Sequence, residues 1–216
     1  MGIIIDKKVN KTCRLGVWEI EENYEELLSH LKLDSSDLET VKKFRNYKRK
    51  LEWLSVRVLL NKMTQKQSPV TYNQNRKPFL KDNSHHISIS HSDRYTTVLI
   101  SDKHDVGIDI EKMKPKIEHI AEKFLKPAEL ANIDAQHSTY HLYLHWCAKE
   151  ALYKLCDKKL ISLKKHITIE PFHPLENGTL YGKVHTDEFH LRIPLYYFHI
   201  HNYSVVWCYK NSTYDL

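Results

Sequence analysis

Residues 106–111 read Val106-Gly107-Ile108-Asp109-Ile110-Glu111. The alternation is that of a β-strand, on which successive side chains point to opposite faces. Val106, Ile108 and Ile110 then share a face turned into a core, and Gly107, Asp109 and Glu111 share the other, with the glycine leaving space beside two carboxylates. Two carboxylates on one face repel each other. A Mg2+ ion held by their oxygens, waters and a phosphate neutralises them; the plainer alternative is a pair of exposed acids on an edge strand.

The pattern continues on both sides. Upstream, Ile87 and Ile89 alternate with Ser88 and Ser90, and residues 96–100 and 106–110 are strand-like with 102–105 as the turn between them. Further back, 17–31 read as a strand end running into a short helix, and Ser36-Asp37-Leu38-Glu39 fits a capping box. Val41, Phe44, Leu51, Leu54 and Val58 recur at helical spacing, which predicts one helix or two closely joined ones over 36–63, with Lys42, Arg45, Arg49 and Arg57 on the other face. Downstream, 117–134 return to helix with Pro127 opening a second segment. Ser138 caps a long helix to Cys156, along which Leu144, Cys147, Ala148, Ala151 and Leu155 make an apolar stripe. The stretches HITIEPF, TLYGKVH, EFHLRIP and YSVVWCY between 166 and 209 are strands. Two helix-then-strand runs predict an α+β fold in two halves, 1–104 and 105–216.

Composition excludes several classes. The 216 residues are 41% apolar, enough for a core, and 28% charged with both signs common, which is not an acidic disordered chain. With 5 glycines and 7 prolines the chain is neither collagen-like nor low in complexity. No apolar run approaches the roughly 18 residues of a membrane span. The N-terminus lacks the pattern of a secretory signal, and Asp6 stands where myristoylation requires Ser or Thr. Four cysteines without a C-x-x-C read as reduced thiols, so a cytoplasmic location is expected. Residues 1–104 carry 19 Lys and Arg against 13 Asp and Glu, whereas 105–216 carry 14 against 14. Six of the nine residues from Lys42 to Lys50 are basic, which favours phosphates or an acidic surface as partner, or else is a solvated helix face.

Three further groups carry chemistry. In Trp146-Cys147-Ala148-Lys149-Glu150-Ala151-Leu152-Tyr153-Lys154, helical spacing puts Trp146, Glu150 and Lys154 on one stripe. Glu150 and Lys154 are either a surface ion pair or a third metal ligand beside a phosphate-binding lysine. In Ser88-Ile89-Ser90-His91-Ser92, hydroxyls and strand-end N–H groups offer themselves to an anion and His91 adds a cation; Arg76-Lys77-Pro78 is a second short basic element. His137, His141 and His145 recur every four residues, but no Cys or carboxylate joins them at zinc-ligand spacing, and among 15 histidines such an alignment arises by chance.

These pieces, in this order, resemble the 4′-phosphopantetheinyl transferases of the large, single-chain, surfactin-synthetase-activating type. That family's Gly-Lys-Pro, I-S-H-S, G-[IV]-D-[IV]-E and W-x-x-K-E-x-x-x-K elements correspond to Lys77-Pro78, Ile89 to Ser92, Gly107 to Glu111 and Trp146 to Lys154. Arg76 departs from the pattern, standing where the family commonly has glycine. The match spans about 72–156; residues 157–216 carry no motif of it. The resemblance implies two similar α+β halves about a pseudo-two-fold axis, with coenzyme A in the cleft between them, and a monomer. It implies Mg2+-dependent transfer of phosphopantetheine from coenzyme A to a serine of an apo acyl or peptidyl carrier protein, releasing adenosine 3′,5′-bisphosphate. Asp109, Glu111 and Glu150 are then the metal ligands, Glu150 also takes the serine proton, and Lys154 holds a diphosphate oxygen. Ser90 and His91 would hold the nucleotide phosphates, and Lys77, Arg49 and Lys43 the 3′-phosphate side. Lys149 receives no role, and Trp146 a packing one. The first half then serves the nucleotide, and the second the metal and carrier; neither nucleic acid nor a membrane is an expected partner. The 112–126 stretch, with five lysines against two glutamates, is expected to meet the carrier. The competing readings are a metal-dependent nuclease and a non-catalytic module that binds coenzyme A or a carrier.

Overall fold

The computed structural model describes residues 2–158 and 161–210. The fold is α+β, with every strand pairing antiparallel. Strands β1 (Gly2–Lys8), β2 (Cys13–Glu19), β5 (His86–Ser92) and β6 (Tyr95–Ser101) form one sheet in the order β1-β2-β6-β5. A second sheet runs β7-β11-β10-β9-β8, from β7 (Val106–Lys112), β8 (Ile167–Ile169), β9 (Asn177–His185), β10 (His190–Ile200) and β11 (Tyr203–Tyr209). A small hairpin, β3 (Val70–Tyr72) with β4 (Pro78–Leu80), stands apart. The 102–105 turn therefore does not close a hairpin: β7 leaves β6 and pairs with β11. No helix among the described residues is long and apolar enough to cross a membrane.

Helices α1 (Tyr24–Ser29), α2 (Ser35–Lys43) and α3 (Tyr47–Thr64) cover the first sheet. The 36–63 pattern is thus two helices, broken where Phe44 turns extended and Asn46 Oδ1 accepts the Lys48 N–H at 2.9 Å to start α3. The cap of α2 is Asp34, whose Oδ1 accepts the Asp37 N–H at 2.8 Å, and not Ser36. A carboxylate two residues earlier is the stronger acceptor for the positive end of the helix. Arg57 is also not on a solvated face: it is 6% exposed, with its guanidinium stacked 3.1 Å from the Trp53 ring centre. Leu54, Leu59 and Leu60 bury completely against Val98 and Ile87 of the sheet.

The 117–134 segment is broken into a 3-10 turn Pro115–Ile120, α4 (Ala121–Phe124) and α5 (Pro127–Leu130). Leu125 and Lys126 are extended, Lys126 because the ring of Pro127 disfavours helix at the residue before it. Helix α6 (Ser138–Cys156) lies on the second sheet, burying Leu144, Cys147, Ala148, Ala151 and Leu155. Ser138 does not cap it, because its hydroxyl donates instead to Glu118 Oε1 at 3.0 Å.

The sheets are joined in two ways. Leu15, Val17 and Leu99 of the first and Val106, Ile108, Ile110 and Val205 of the second share one fully buried cluster. Beside it β5 meets β7 without a backbone ladder, through serines at every second position. Ser88 Oγ accepts the Ile108 N–H (3.0 Å), Ser90 Oγ donates to Asp109 Oδ1 (2.7 Å), and Ser92 Oγ accepts the Lys112 N–H (3.0 Å) and donates to Glu111 Oε2 (2.9 Å). Hydroxyls read from the sequence as anion donors are engaged in this junction.

Candidate active site

A Cβ built on Gly107 would stand 2.0 Å from the carbonyl oxygen of Ala151. The glycine therefore makes room for the backbone of α6 and not for space beside the carboxylates, which corrects the sequence reading. The close approach sets Glu150 and Lys154 over Asp109 and Glu111. Lys154 Nζ donates to Asp109 Oδ1 (2.7 Å), Ser90 Oγ (3.0 Å) and the Ile108 carbonyl (3.0 Å). Asp109 is 4% exposed, and its Oδ2 is buried without a hydrogen-bond partner.

Charge repulsion marks the cluster. Burial and then Asp109 push the Glu150 carboxyl up to about 7, with Lys154 pulling the other way and Glu111 adding to the rise. Burial and Asp109 likewise raise Glu111, against hydrogen bonds from Ser92 and Trp146. Trp146 packs edge-on against Phe124, ring centres 5.0 Å apart. Among the described residues no group of three His, Cys, Asp or Glu side chains already stands at metal-ligating distances. The donor set still fits a hard divalent cation, since a buried carboxylate oxygen lacks a partner and two further carboxyls are held above their ordinary range by burial and mutual repulsion.

Asp109, Glu111 and Lys154 form one end of a cleft of about 510 Å³ between the sheets, which Arg49, Lys77, Ser90 and His91 line with them, whereas Glu150 lies outside that lining. Lys43 is exposed at the end of α2, outside that lining. His91 is not a cation: burial, then the Arg49 and Lys154 charges beside it, pull it down to about 4, so the ring is neutral. Lys77 Nζ donates to the Leu155 carbonyl (3.2 Å) at the end of α6.

Arg76 has φ of 64°, in the left-handed region that favours glycine. The loop keeps that geometry with arginine because Asn73 Oδ1 accepts the Asn75 and Lys77 N–H groups (2.9 and 3.0 Å). Asn73 Nδ2 also reaches Asp157 Oδ2 (2.6 Å), and Asn75 Nδ2 the Asp157 carbonyl (2.7 Å), tying the β3–β4 hairpin to the end of α6 across the cleft. Sequence reasoning missed Asn73, Asp157 and the cleft carboxylate Glu52. Asn73 had a local signal, a turn-forming residue ahead of Lys-Pro, whereas Glu52 looks like any helix acid.

Two other sets prove to be core. Lys149, fully buried, donates to Glu129 Oε2 (2.8 Å) and to the Leu163 and Ile167 carbonyls (3.2 and 2.8 Å). His141 and His145 pack against Phe172, and His141 Nδ1 accepts the Asp134 N–H (3.0 Å).

A family model described as the 4′-phosphopantetheinyl transferase superfamily matches residues 105–212, half of the chain. The chain belongs to the 4′-phosphopantetheinyl transferase superfamily. It is 40% identical over 78 residues to a 4′-phosphopantetheinyl transferase of Bacillus subtilis, covering 35% of this chain and 34% of that one. With the 4′-phosphopantetheinyl transferase AcpT of Escherichia coli O157:H7 it shares 30% over 112 residues, 49% of this chain and 57% of the relative. With the 4′-phosphopantetheinyl transferase Sfp of Bacillus subtilis strain 168 it shares 36% over 72 residues, 32% of each. The chain thus aligns with less than two thirds of the length of each of these curated relatives.

Proposed function

We propose that this member of the superfamily transfers 4′-phosphopantetheine from coenzyme A to a serine of an apo acyl or peptidyl carrier protein, releasing adenosine 3′,5′-bisphosphate. One observation carries the reading: Asp109, Glu111 and Lys154, from two elements about 40 residues apart, line one end of a basic cleft with the Glu150 carboxyl in electrostatic contact with them, and the other wall holds Arg49, His91 and Lys77. The family and the names of the relatives point the same way.

In this reading Asp109 Oδ2, Glu111 and Glu150 hold Mg2+, which when bound supplies charge neutralisation on the diphosphate. Lys154 turns from Asp109 toward a diphosphate oxygen. Ser90, fixed by Asp109 and Lys154, positions both, and His91, Arg49 and Lys77 face the nucleotide. Glu150 accepts the serine proton, directly or through a water, as the serine hydroxyl attacks the β-phosphate. The first half serves the nucleotide, and the second the metal and the carrier. The free cysteines, three of them buried, support a reducing, cytoplasmic setting, and the pairing of two sheets within one chain supports a monomer.

The test is to incubate the protein with coenzyme A, Mg2+ and a panel of apo carriers and to weigh the carriers. A gain of one phosphopantetheine group is expected; unchanged mass across fatty-acid, polyketide and peptide carriers would overturn the proposal.

A further inference from the structure

Besides Asp157, which Asn73 holds, one carboxylate of the basic cleft has no place in the metal cluster. Glu52, one turn along α3 from Arg49, is 8% exposed and lines the cleft. Its Oε2 lies 3.3 Å from Arg49 Nη1 and 3.2 Å from His91 Nδ1. Arg49 Nη1 also meets His91 Nε2. A guanidinium only donates, so Nε2 is the acceptor and the ring proton sits on Nδ1. The Nδ1–H of the neutral ring then stands beside the Glu52 carboxylate. The three side chains close a triangle in which the guanidinium facing the nucleotide end is already bonded to an internal anion that also stands beside the ring N–H.

We infer that Glu52 is a specificity-determining residue that occupies the place of a ligand phosphate, so that the cleft takes nucleotides lacking a phosphomonoester at this end about as well as those carrying one. Coenzyme A has such a group as its 3′-phosphate, and dephospho-coenzyme A lacks it. A phosphomonoester reaching Arg49 and His91 must displace the carboxylate or lie against its charge. Like charges in a partly desolvated site oppose each other strongly, which cancels the gain from the charge-assisted bonds that Arg49 would make. The inference rests on the transferase reading only for the identity of the two nucleotides.

The test is calorimetric binding of adenosine 3′,5′-bisphosphate and of AMP to the full chain and to Glu52→Gln, with Glu52→Ala as a second variant in case the amide perturbs packing. The wild type should bind the two nucleotides within about threefold of each other, and the variants should tighten the bisphosphate about tenfold, the scale of one restored charge-assisted hydrogen bond. AMP should move less than about twofold, because it lacks the group that meets the carboxylate. Adding Arg49→Ala to Glu52→Gln should erase the gain. A wild type that already prefers the bisphosphate by tenfold or more, or variants that shift both nucleotides equally, would overturn the inference. Carrier modification without the switch sinks this inference alone, and the switch without carrier modification sinks the transferase reading alone.

Discussion

The carbonyl oxygen of Ala151 lies where the side chain of any residue but glycine at position 107 would have to go. That oxygen is backbone, so it cannot yield without moving α6, and α6 carries Glu150 and Lys154. Gly107→Ala should therefore lose about 1–3 kcal/mol of stability, as overpacked cores do, and lose transfer even in the folded fraction. Gly16→Ala is the control. Its Cβ would meet Met63 Sδ at 2.5 Å, the flexible end of a side chain, and should cost less. Urea melts of both variants check this; equal small losses would mean that α6 can shift freely.

Asp109, Glu111 and Glu150 repel one another in the absence of a cation. Mg2+ alone should raise the melting temperature of the wild type, and Asp109→Asn should abolish the rise. Glu150→Gln should be more stable than wild type without Mg2+, since it removes one repelling charge, yet lose about 10²–10⁴-fold in kcat with a small change in coenzyme A affinity. Thermal melts with and without Mg2+, beside single-turnover transfer, measure both; a Glu150→Gln protein with normal kcat would remove its role as base.

Lys149 and Glu129 form a buried ion pair, and burial pulls the lysine down against the pull of its partner. Lys149→Met leaves the Glu129 carboxylate without its countercharge and should cost about 3–5 kcal/mol. Adding Glu129→Gln should recover part of that loss. Activity per folded molecule should be unchanged, because Lys149 faces Leu163 and Ile167 and not the cleft. Denaturation curves with active-fraction titration decide the matter.

His145, 2% exposed, is held neutral: burial, then His141 and Lys149, bring it down to about 3 from an ordinary value of 6.5. A histidine depressed in the fold takes up its proton in the unfolded chain first, so stability falls as pH drops below about 6.5 toward 3. His145→Gln should remove about 2 kcal/mol of the loss between pH 7 and pH 4.5. Urea melts at the two pH values give the comparison; identical acid sensitivity in both proteins would refute it.

The lysine-rich 112–126 stretch is less free than its composition promises. Lys112 is bonded to Asp93 (2.6 Å) and Lys126 to Thr168 (2.6 Å), and Ile117, Ala121 and Phe124 are buried. Lys114, Lys116 and Lys123 remain exposed, and reversing these three to Glu should raise the carrier KM several-fold at low salt and leave coenzyme A binding intact. A carrier KM indifferent to salt and to the reversals would place docking elsewhere.

Much of the fold was legible because burial follows period. The alternation of Val106, Ile108 and Ile110 and the stripe from Leu144 to Leu155 each name a buried face without any partner being known. The motifs likewise brought together Asp109, Glu111, Glu150 and Lys154. Period says which face is apolar, but not what lies opposite a polar one. The partner of Lys77 is the Leu155 carbonyl, 78 residues on, that of Ser90 is Asp109 on another sheet, and that of Lys149 is Glu129, 20 residues back on a different helix. Arg57 read as solvated because helical spacing, which sets it over Trp53, does not show that Asp37 of α2 and Tyr72 of β3 close on it. Glu52 became a cleft anion only when β5 carried His91 up to α3. Hydrophobic patterning is written along the chain, whereas electrostatic neighbours at three ångströms are chosen by the packing of distant elements, and so only the tertiary structure decided them.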